Sequence, residues 1–282
     1  MMVTPEVVKA VREHFACSTL LGAEIENQGG SGTAGSHWEE RLFGNEAMVG
    51  TIGRVPKFSK ITLAALQDSG WYSVDYSLAE PLHWGRGLGC DFVTKSCLGW
   101  RNVKSPASSD PFCFTFDDDS LICNDDYSGI GRCNIDQSDS ALPSVYQYFN
   151  SDPGLNVSSN FNRIGGFAEE PDFCPIVPTS SFRVCSSSSP PEVNLALQSF
   201  GADSRCFTQP SPWEKRKGSS TQLQTTYGAG CYRFKCTPYG VLIFVGARFY
   251  NCSSEATNSI LIFNDLPING STYTGNITCP SC

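Results

Sequence analysis

The sequence predicts an α+β fold in which a mainly helical part, residues 1–91, precedes a cysteine-rich and β-rich part, residues 92–282. Two observations separate these parts. Apolar residues recur at helical spacing before Cys90. From Phe92 onward, short alternating segments, many prolines and a cysteine every ten to twenty residues take their place. A chain of 282 residues also favours two domains with enough material for a buried core.

Two longer helices are predicted in the first part. The first begins at Thr4-Pro5-Glu6, where a capping residue, a proline at the first helical position and an acid in the first turn follow one another. It ends near Cys17, and its apolar face is formed by Val7, Val8, Val11 and Phe15. The second helix begins near Ser59 and stops at Gly70.

Three strands are predicted near the C-terminus. Residues Tyr232 to Cys236 alternate in the manner of a strand, and Pro238 to Gly240 can turn the chain. Val241 to Tyr250 then reads as one apolar strand, and Ser259 to Phe263 as a further short one. Earlier in the β-rich part, residues 117–126 contain an acidic cluster. It lacks the alternating spacing of a calcium loop, so we interpret it as a solvated loop.

The stretch from Gly29 to Met48 contains His37, one of three histidines, directly after a glycine run that can bend the chain into a site. Ser36 and Glu39 have capping-box spacing, which predicts a short helix beginning at His37. Spacing alone also allows a plain surface-loop histidine. Three acids nearby are interpreted as solvated carboxylates: Glu39, Glu40 and Glu46. His14, on the first helix, is interpreted as structural or exposed.

Charge and cysteine content restrict the partners and the compartment. A net charge of −8 argues against nucleic acid or an anionic membrane as the main partner. Fourteen cysteines, an even number, indicate an oxidising, secretory setting. Four N-x-S/T sequons support that setting as candidate glycosylation sites, beginning at Asn156, Asn251, Asn269 and Asn276.

The block AGSHWEERLFGNEAM, residues 34–48, resembles the third-histidine and Met-turn region of the leishmanolysin family, zinc endopeptidases of the metzincin class. The similarity continues through VREHFACSTL before it and through LAALQDSGWYSVDYSLAE and HWGRGLGCDFVTKSC after it, and it covers nearly the whole chain. Residues 1–91 thus resemble the mainly helical metzincin C-terminal subdomain.

The resemblance implies that His37 is the third zinc ligand and that Met48 forms the floor of the metal site. His83 corresponds to an apolar residue in that family, so a ligand role is not expected for it. The family's catalytic helix carries H-E-x-x-H, a motif that this sequence lacks. The chain therefore supplies one zinc ligand of three and no general base.

These features imply a leishmanolysin-like zinc metalloendopeptidase acting on protein or peptide substrates, here as a fragment or truncated paralogue that is inactive alone. The alternative is a non-catalytic pseudoprotease that serves as an adhesion or binding module toward host or extracellular proteins. Composition and family both imply a cell-surface or secreted location. The sequence itself has no signal peptide, transmembrane run or lipid-anchor tail.

The family resemblance also implies a pairing for all fourteen cysteines. The implied pairs are Cys17–Cys90, Cys97–Cys174, Cys113–Cys133, Cys123–Cys206, Cys185–Cys231, Cys236–Cys282 and Cys252–Cys279.

Overall fold

The computed structural model describes residues 1–51, 53, 55–103, 111–178, 183–187, 194–253 and 260–279. The chain forms two compact units, Met1–Phe116 with Cys133–Ser180, and Asp117–Arg132 with Ser181–Cys282. The division that the sequence predicts at residue 91 lies inside the first unit. The division into domains of residues 1–91 and 92–282 stays a prediction. The α+β, disulfide-rich fold class is confirmed.

Helices dominate the N-terminal part of the first unit. Its described helices are α1 (Pro5–Phe15), α2 (Glu40–Phe43), α3 (Lys60–Asp68), α4 (Cys90–Thr94) and α5 (Cys97–Val103). Their apolar faces share one core, whose fully buried side chains include Phe15, Phe43 and Phe92. A two-stranded antiparallel sheet, β3 (Ile135–Gln137) with β4 (Ile164–Gly166), completes the unit.

Helix α1 begins where the sequence predicts, but its cap comes from another element. Thr4 is the N-cap residue and its side chain makes no capping hydrogen bond. The Asp68 carboxylate instead accepts the amide hydrogens of Glu6 and Val7 at 3.2 and 3.0 Å. Every helix leaves the first amide donors at its N-terminus without intrahelical partners. Because Asp68 is the last residue of α3, the C-terminal end of α3 accepts two of these donors from the N-terminal end of α1.

The helix predicted to begin at His37 is wrong. Helix α2 starts at Glu40, with Glu39 as its N-cap residue, whose side chain accepts from the Arg41 amide. The Ser36 hydroxyl does not cap it and lies instead 3.1 Å from the Gly32 carbonyl oxygen. Backbone pairing of Trp38 with two neighbouring segments keeps this stretch out of the helix.

The second unit is built from antiparallel sheets. The small sheet has the order β1 (Ile122–Cys123), β2 (Gly129–Gly131), β5 (Arg183–Val184). One four-stranded sheet has the order β11 (Arg248–Ser253), β10 (Gly240–Val245), β9 (Gly228–Thr237), β6 (Ser204–Gln209). The other has the order β12 (Ile260–Ile268), β13 (Ser271–Thr278), β7 (Glu214–Lys217), β8 (Ser220–Leu223).

The strand predicted over Tyr232 to Cys236 is confirmed and lies within β9. The single strand predicted from Val241 to Tyr250 is wrong, because β10 and β11 form a hairpin that turns at Gly246, whose φ is +60°. The predicted Ser259–Phe263 strand corresponds to the start of β12, while Ser259 itself is outside the described residues. Trp213, Tyr232 and Ile277 lie fully buried in the core of this unit.

Six disulfides are present in the described part of the chain, and each joins two cysteines that the family resemblance pairs. They are Cys17–Cys90, Cys97–Cys174, Cys113–Cys133, Cys123–Cys206, Cys185–Cys231 and Cys252–Cys279. The remaining implied pair, Cys236–Cys282, includes a residue that lies outside the described ranges. Among the described helices, none has the length and apolar character needed to cross a membrane.

Candidate metal-binding site

The glycine run before His37 forms a series of tight turns. Gly35 donates its amide hydrogen to the Glu26 carbonyl oxygen at 2.8 Å, and Ala34 donates to Gly30 at 3.0 Å. Four glycines of the run adopt positive φ, which side chains with a Cβ rarely tolerate: Gly29, Gly30, Gly32 and Gly35. These turns reverse the chain over residues 29–36, so that the Glu26 amide donates to the His37 carbonyl oxygen at 2.9 Å.

The imidazole of His37 is half-buried, and its Nδ1 is engaged by the loop behind it. Nδ1 lies 3.1 Å from the Thr33 carbonyl oxygen and 3.1 Å from the Ser36 hydroxyl. A carbonyl oxygen can only accept, so Nδ1 carries the proton in this hydrogen bond. In the neutral ring Nε2 then has its lone pair available, and no hydrogen bond within the described residues engages Nε2.

The residue after His37 brings the Met48 turn alongside. Trp38 forms backbone bridges to Ile25 on one side and to Val49 on the other. Its amide donates to the Met48 carbonyl oxygen at 2.9 Å. The structure therefore places the two sequence-predicted site residues, His37 and Met48, on neighbouring segments. The Met48 side chain is 43% exposed.

The carboxylates that the sequence analysis treats as solvated are buried, so that interpretation is wrong. Glu39 is 0%, Glu40 5% and Glu46 1% exposed. Glu39 and Glu40 lie between the buried residues Trp38 and Leu42, and Glu46 follows the buried Phe43 by three residues. An acid flanked by core residues on a short, irregular segment is the signal that would have indicated burial.

Burial perturbs the acids of this segment. Desolvation, followed by repulsion from Asp172, raises the pKa of Glu39 to about 9. Desolvation is also the main cause that raises the pKa of Glu40 to about 7 and the pKa of Glu26 above its usual value. At neutral pH the uncharged form of Glu39 is therefore favoured, and Arg41 is the cation of this segment.

Arg41 fastens this segment to the rest of the first unit. Its Nε donates to the Asp172 carboxylate at 3.1 Å. Its two terminal nitrogens donate to carbonyl oxygens at the end of α4: Phe92 at 3.2 Å, Val93 at 3.2 Å and Lys95 at 3.1 Å. No pattern in the sequence predicted this role, since a single arginine among three acids is not a recognisable motif.

The other two histidines do not join His37. His14 donates from Nε2 to the Trp84 carbonyl oxygen at 2.8 Å, and burial lowers the pKa of its ring. His83 is exposed. Within the described ranges, no three His, Cys, Asp or Glu side chains are grouped so that they could hold a metal ion.

The four sequons lie in the described residues, three of them with exposed asparagines. Asn156 and Asn251 are exposed, and Asn269 is exposed at the turn between β12 and β13. Asn276, on β13, is half-buried, and its Oδ1 accepts from the Ser211 amide at 3.0 Å. Glycosylation of these residues stays a prediction.

Comparison with known proteins gives a consistent result along the whole chain. A model of the family described as leishmanolysin matches residues 1–282. A leishmanolysin-like peptidase of Drosophila pseudoobscura pseudoobscura is 40% identical over 100% of this chain and 43% of its own length. One of Caenorhabditis elegans is 36% identical over 100% and 45%, and leishmanolysin of Leishmania donovani is 29% identical over 97% and 43%. The chain spans less than half the length of these relatives. It belongs to the leishmanolysin family.

Proposed function

We propose that this chain carries the third zinc ligand, His37, and the Met turn, Met48, of a leishmanolysin-like zinc metallopeptidase that cleaves proteins or peptides. The observation that carries the proposal is the hydrogen bond from His37 Nδ1 to the Thr33 carbonyl oxygen. Histidines that bind metals usually donate their second ring nitrogen to a carbonyl or carboxylate, which fixes the tautomer and the ring orientation. His37 is arranged in this way, with Nε2 as the atom that would bind zinc.

The residues present fit one ligand of a zinc site and not a whole site. A catalytic zinc requires three protein ligands and an open position. The sequence contains three histidines and no H-E-x-x-H motif. Of the other two histidines, His14 is hydrogen-bonded to the Trp84 carbonyl oxygen and His83 is exposed. We therefore propose that the remaining ligands and the general base come from residues outside these 282.

Zinc in such a site would supply Lewis-acid activation of water and of the scissile carbonyl group. The role of this chain is to present one neutral imidazole in a fixed orientation and to place the Met48 turn beside it. A positioned general base contributes about 10²–10⁴ in rate, and no residue here is assigned to that role. We therefore propose that the chain by itself is inactive as a peptidase.

A second candidate function is a binding module without catalysis, and one feature favours it. Trp71 and Tyr72, which follow α3, are 85% and 55% exposed. Aromatic side chains are enriched at protein interfaces, where they contribute most of the binding energy. Disulfides and exposed sequons support a surface or secreted location for either function, with extracellular proteins as partners.

The test is a chimera in which this chain replaces the matched 43% of the Drosophila pseudoobscura pseudoobscura peptidase. Zinc content and cleavage of a denatured protein are measured for the chimera and for two variants, His37→Ala and His83→Ala. We expect His37→Ala to lose bound zinc and chelator-sensitive cleavage. His83→Ala, which removes an exposed imidazole, is expected to retain both. Equal zinc content and activity in the two variants would exclude His37 as a ligand.

A further inference from the structure

Glu46 is a buried carboxylate in the turn that ends at Met48. It is 1% exposed and accepts hydrogen bonds from four donors. The donors are the Met48 amide at 2.6 Å, the Ser59 amide at 3.1 Å, the Ser59 hydroxyl at 2.8 Å and the Thr62 hydroxyl at 2.6 Å. All four are neutral, and no ion pair among the described residues includes Glu46. A buried carboxylate is costly unless its oxygens are fully hydrogen-bonded.

These hydrogen bonds have a fixed direction. A carboxylate can only accept, and an indole N–H can only donate. The Thr62 hydroxyl must therefore donate to Glu46, and it accepts from the Trp38 indole nitrogen, 2.9 Å away. The Trp38 amide donates to the Met48 carbonyl oxygen at 2.9 Å, and the Met48 amide donates to the Glu46 carboxylate. Trp38, Thr62, Glu46 and Met48 thus form a closed ring of hydrogen bonds.

We propose that Glu46 is a positioning residue. It fixes the His37 segment, residues 37–43, against the Met48 turn, residues 44–48. Trp38 follows His37 directly, so the ring holds the peptide that carries the imidazole. Ser59 is the N-cap residue of α3, which anchors the ring to a regular helix. Rigid support of this kind keeps a metal ligand in its binding geometry. The inference rests on the proposed zinc-binding role of His37.

Three variants distinguish loss of the ring's hydrogen bonds from a general loss of stability. Glu46→Gln keeps the side-chain shape but replaces one acceptor oxygen with an NH₂ group. That group faces an N–H or O–H donor, so one side of the carboxylate loses its hydrogen bond. Trp38→Phe removes the indole donor to Thr62. Trp84→Phe is the matched control, because this tryptophan is equally buried and donates its indole N–H to the Arg41 carbonyl oxygen, outside the ring.

The first measurement is amide hydrogen exchange in the 282-residue chain without metal. We expect the amides of Trp38 and Met48 to lose protection in Glu46→Gln and Trp38→Phe, relative to the amides of α1. Trp84→Phe is expected to leave them protected. Unchanged protection of Trp38 and Met48 in Glu46→Gln would overturn the ring as a structural lock.

The second measurement is zinc affinity in the chimera described above. Loss of outer-sphere support costs about 10–100-fold in metal affinity, so Glu46→Gln and Trp38→Phe should weaken zinc binding by about that factor, and Trp84→Phe by no more than about threefold. If His37→Ala abolishes zinc binding while Glu46→Gln leaves it unchanged, the positioning role is wrong and the ligand role stands. If His37→Ala itself retains zinc, the proposed function fails, and the exchange measurement still decides whether the ring exists.

Discussion

Replacing Arg41 with methionine tests what holds the His37 segment to the first unit. Arg41 and Asp172 form an ion pair whose side chains are 7% and 14% exposed. Removal of one partner of a buried ion pair costs about 3–5 kcal/mol, because the other charge remains buried without compensation. Arg41→Met also leaves three carbonyl oxygens at the end of α4 without their donor.

The assay is guanidinium and thermal unfolding with the disulfides intact. A loss of about 3–5 kcal/mol corresponds to a decrease in Tm of about 6–20 °C for a chain of this size. Lys60→Met is the control, since its ion pair with Glu13 is 47% and 63% exposed and should contribute about 0–1 kcal/mol. Adding Asp172→Asn to Arg41→Met should recover part of the loss. Equal Tm values for Arg41→Met and Lys60→Met would show that the buried Arg41–Asp172 ion pair contributes no more than an exposed one.

Two further predictions concern the same segment. Burial raises the pKa of Glu40 from 4.5 to about 7, so the folded state binds this proton more tightly than the unfolded state does. The resulting contribution to the free energy of unfolding is fully present below pH 4.5 and is lost as pH rises through about 7. Unfolding at several pH values should show a smaller decline over that range for Glu40→Gln than for the exposed control Glu169→Gln. Gly44→Ala should destabilise by about 1–3 kcal/mol more than Gly70→Ala. Both glycines have positive φ, but only at Gly44 would the added Cβ meet the Trp84 indole. Similar unfolding midpoints for the two alanine variants would contradict this.

Local signals in the sequence predicted the regular elements well. Helical spacing located α1 and α3, and alternation located β9, because these elements follow from patterns within about one turn or one strand. The disulfide pairs came from the family resemblance and not from spacing, since fourteen cysteines allow very many pairings.

The failures at the site have tertiary causes. Ser36 and Glu39 have the spacing of a capping box, yet Trp38 is held in two backbone bridges by Ile25 and Val49, and these contacts exclude a helix there. The burial of Glu46 likewise depends on hydroxyl donors from α3, which lie 13 and 16 residues further along the chain. No short-range pattern contains that information.

Diffraction from the zinc-loaded chimera would show whether Nε2 of His37 binds zinc. Data collected on both sides of the zinc absorption edge would locate the ion independently of the protein phases. We expect an anomalous peak about 2.0–2.1 Å from Nε2 of His37, with Nδ1 still hydrogen-bonded to the Thr33 carbonyl oxygen. A zinc ion bound through Nδ1, or bound without His37, would contradict it.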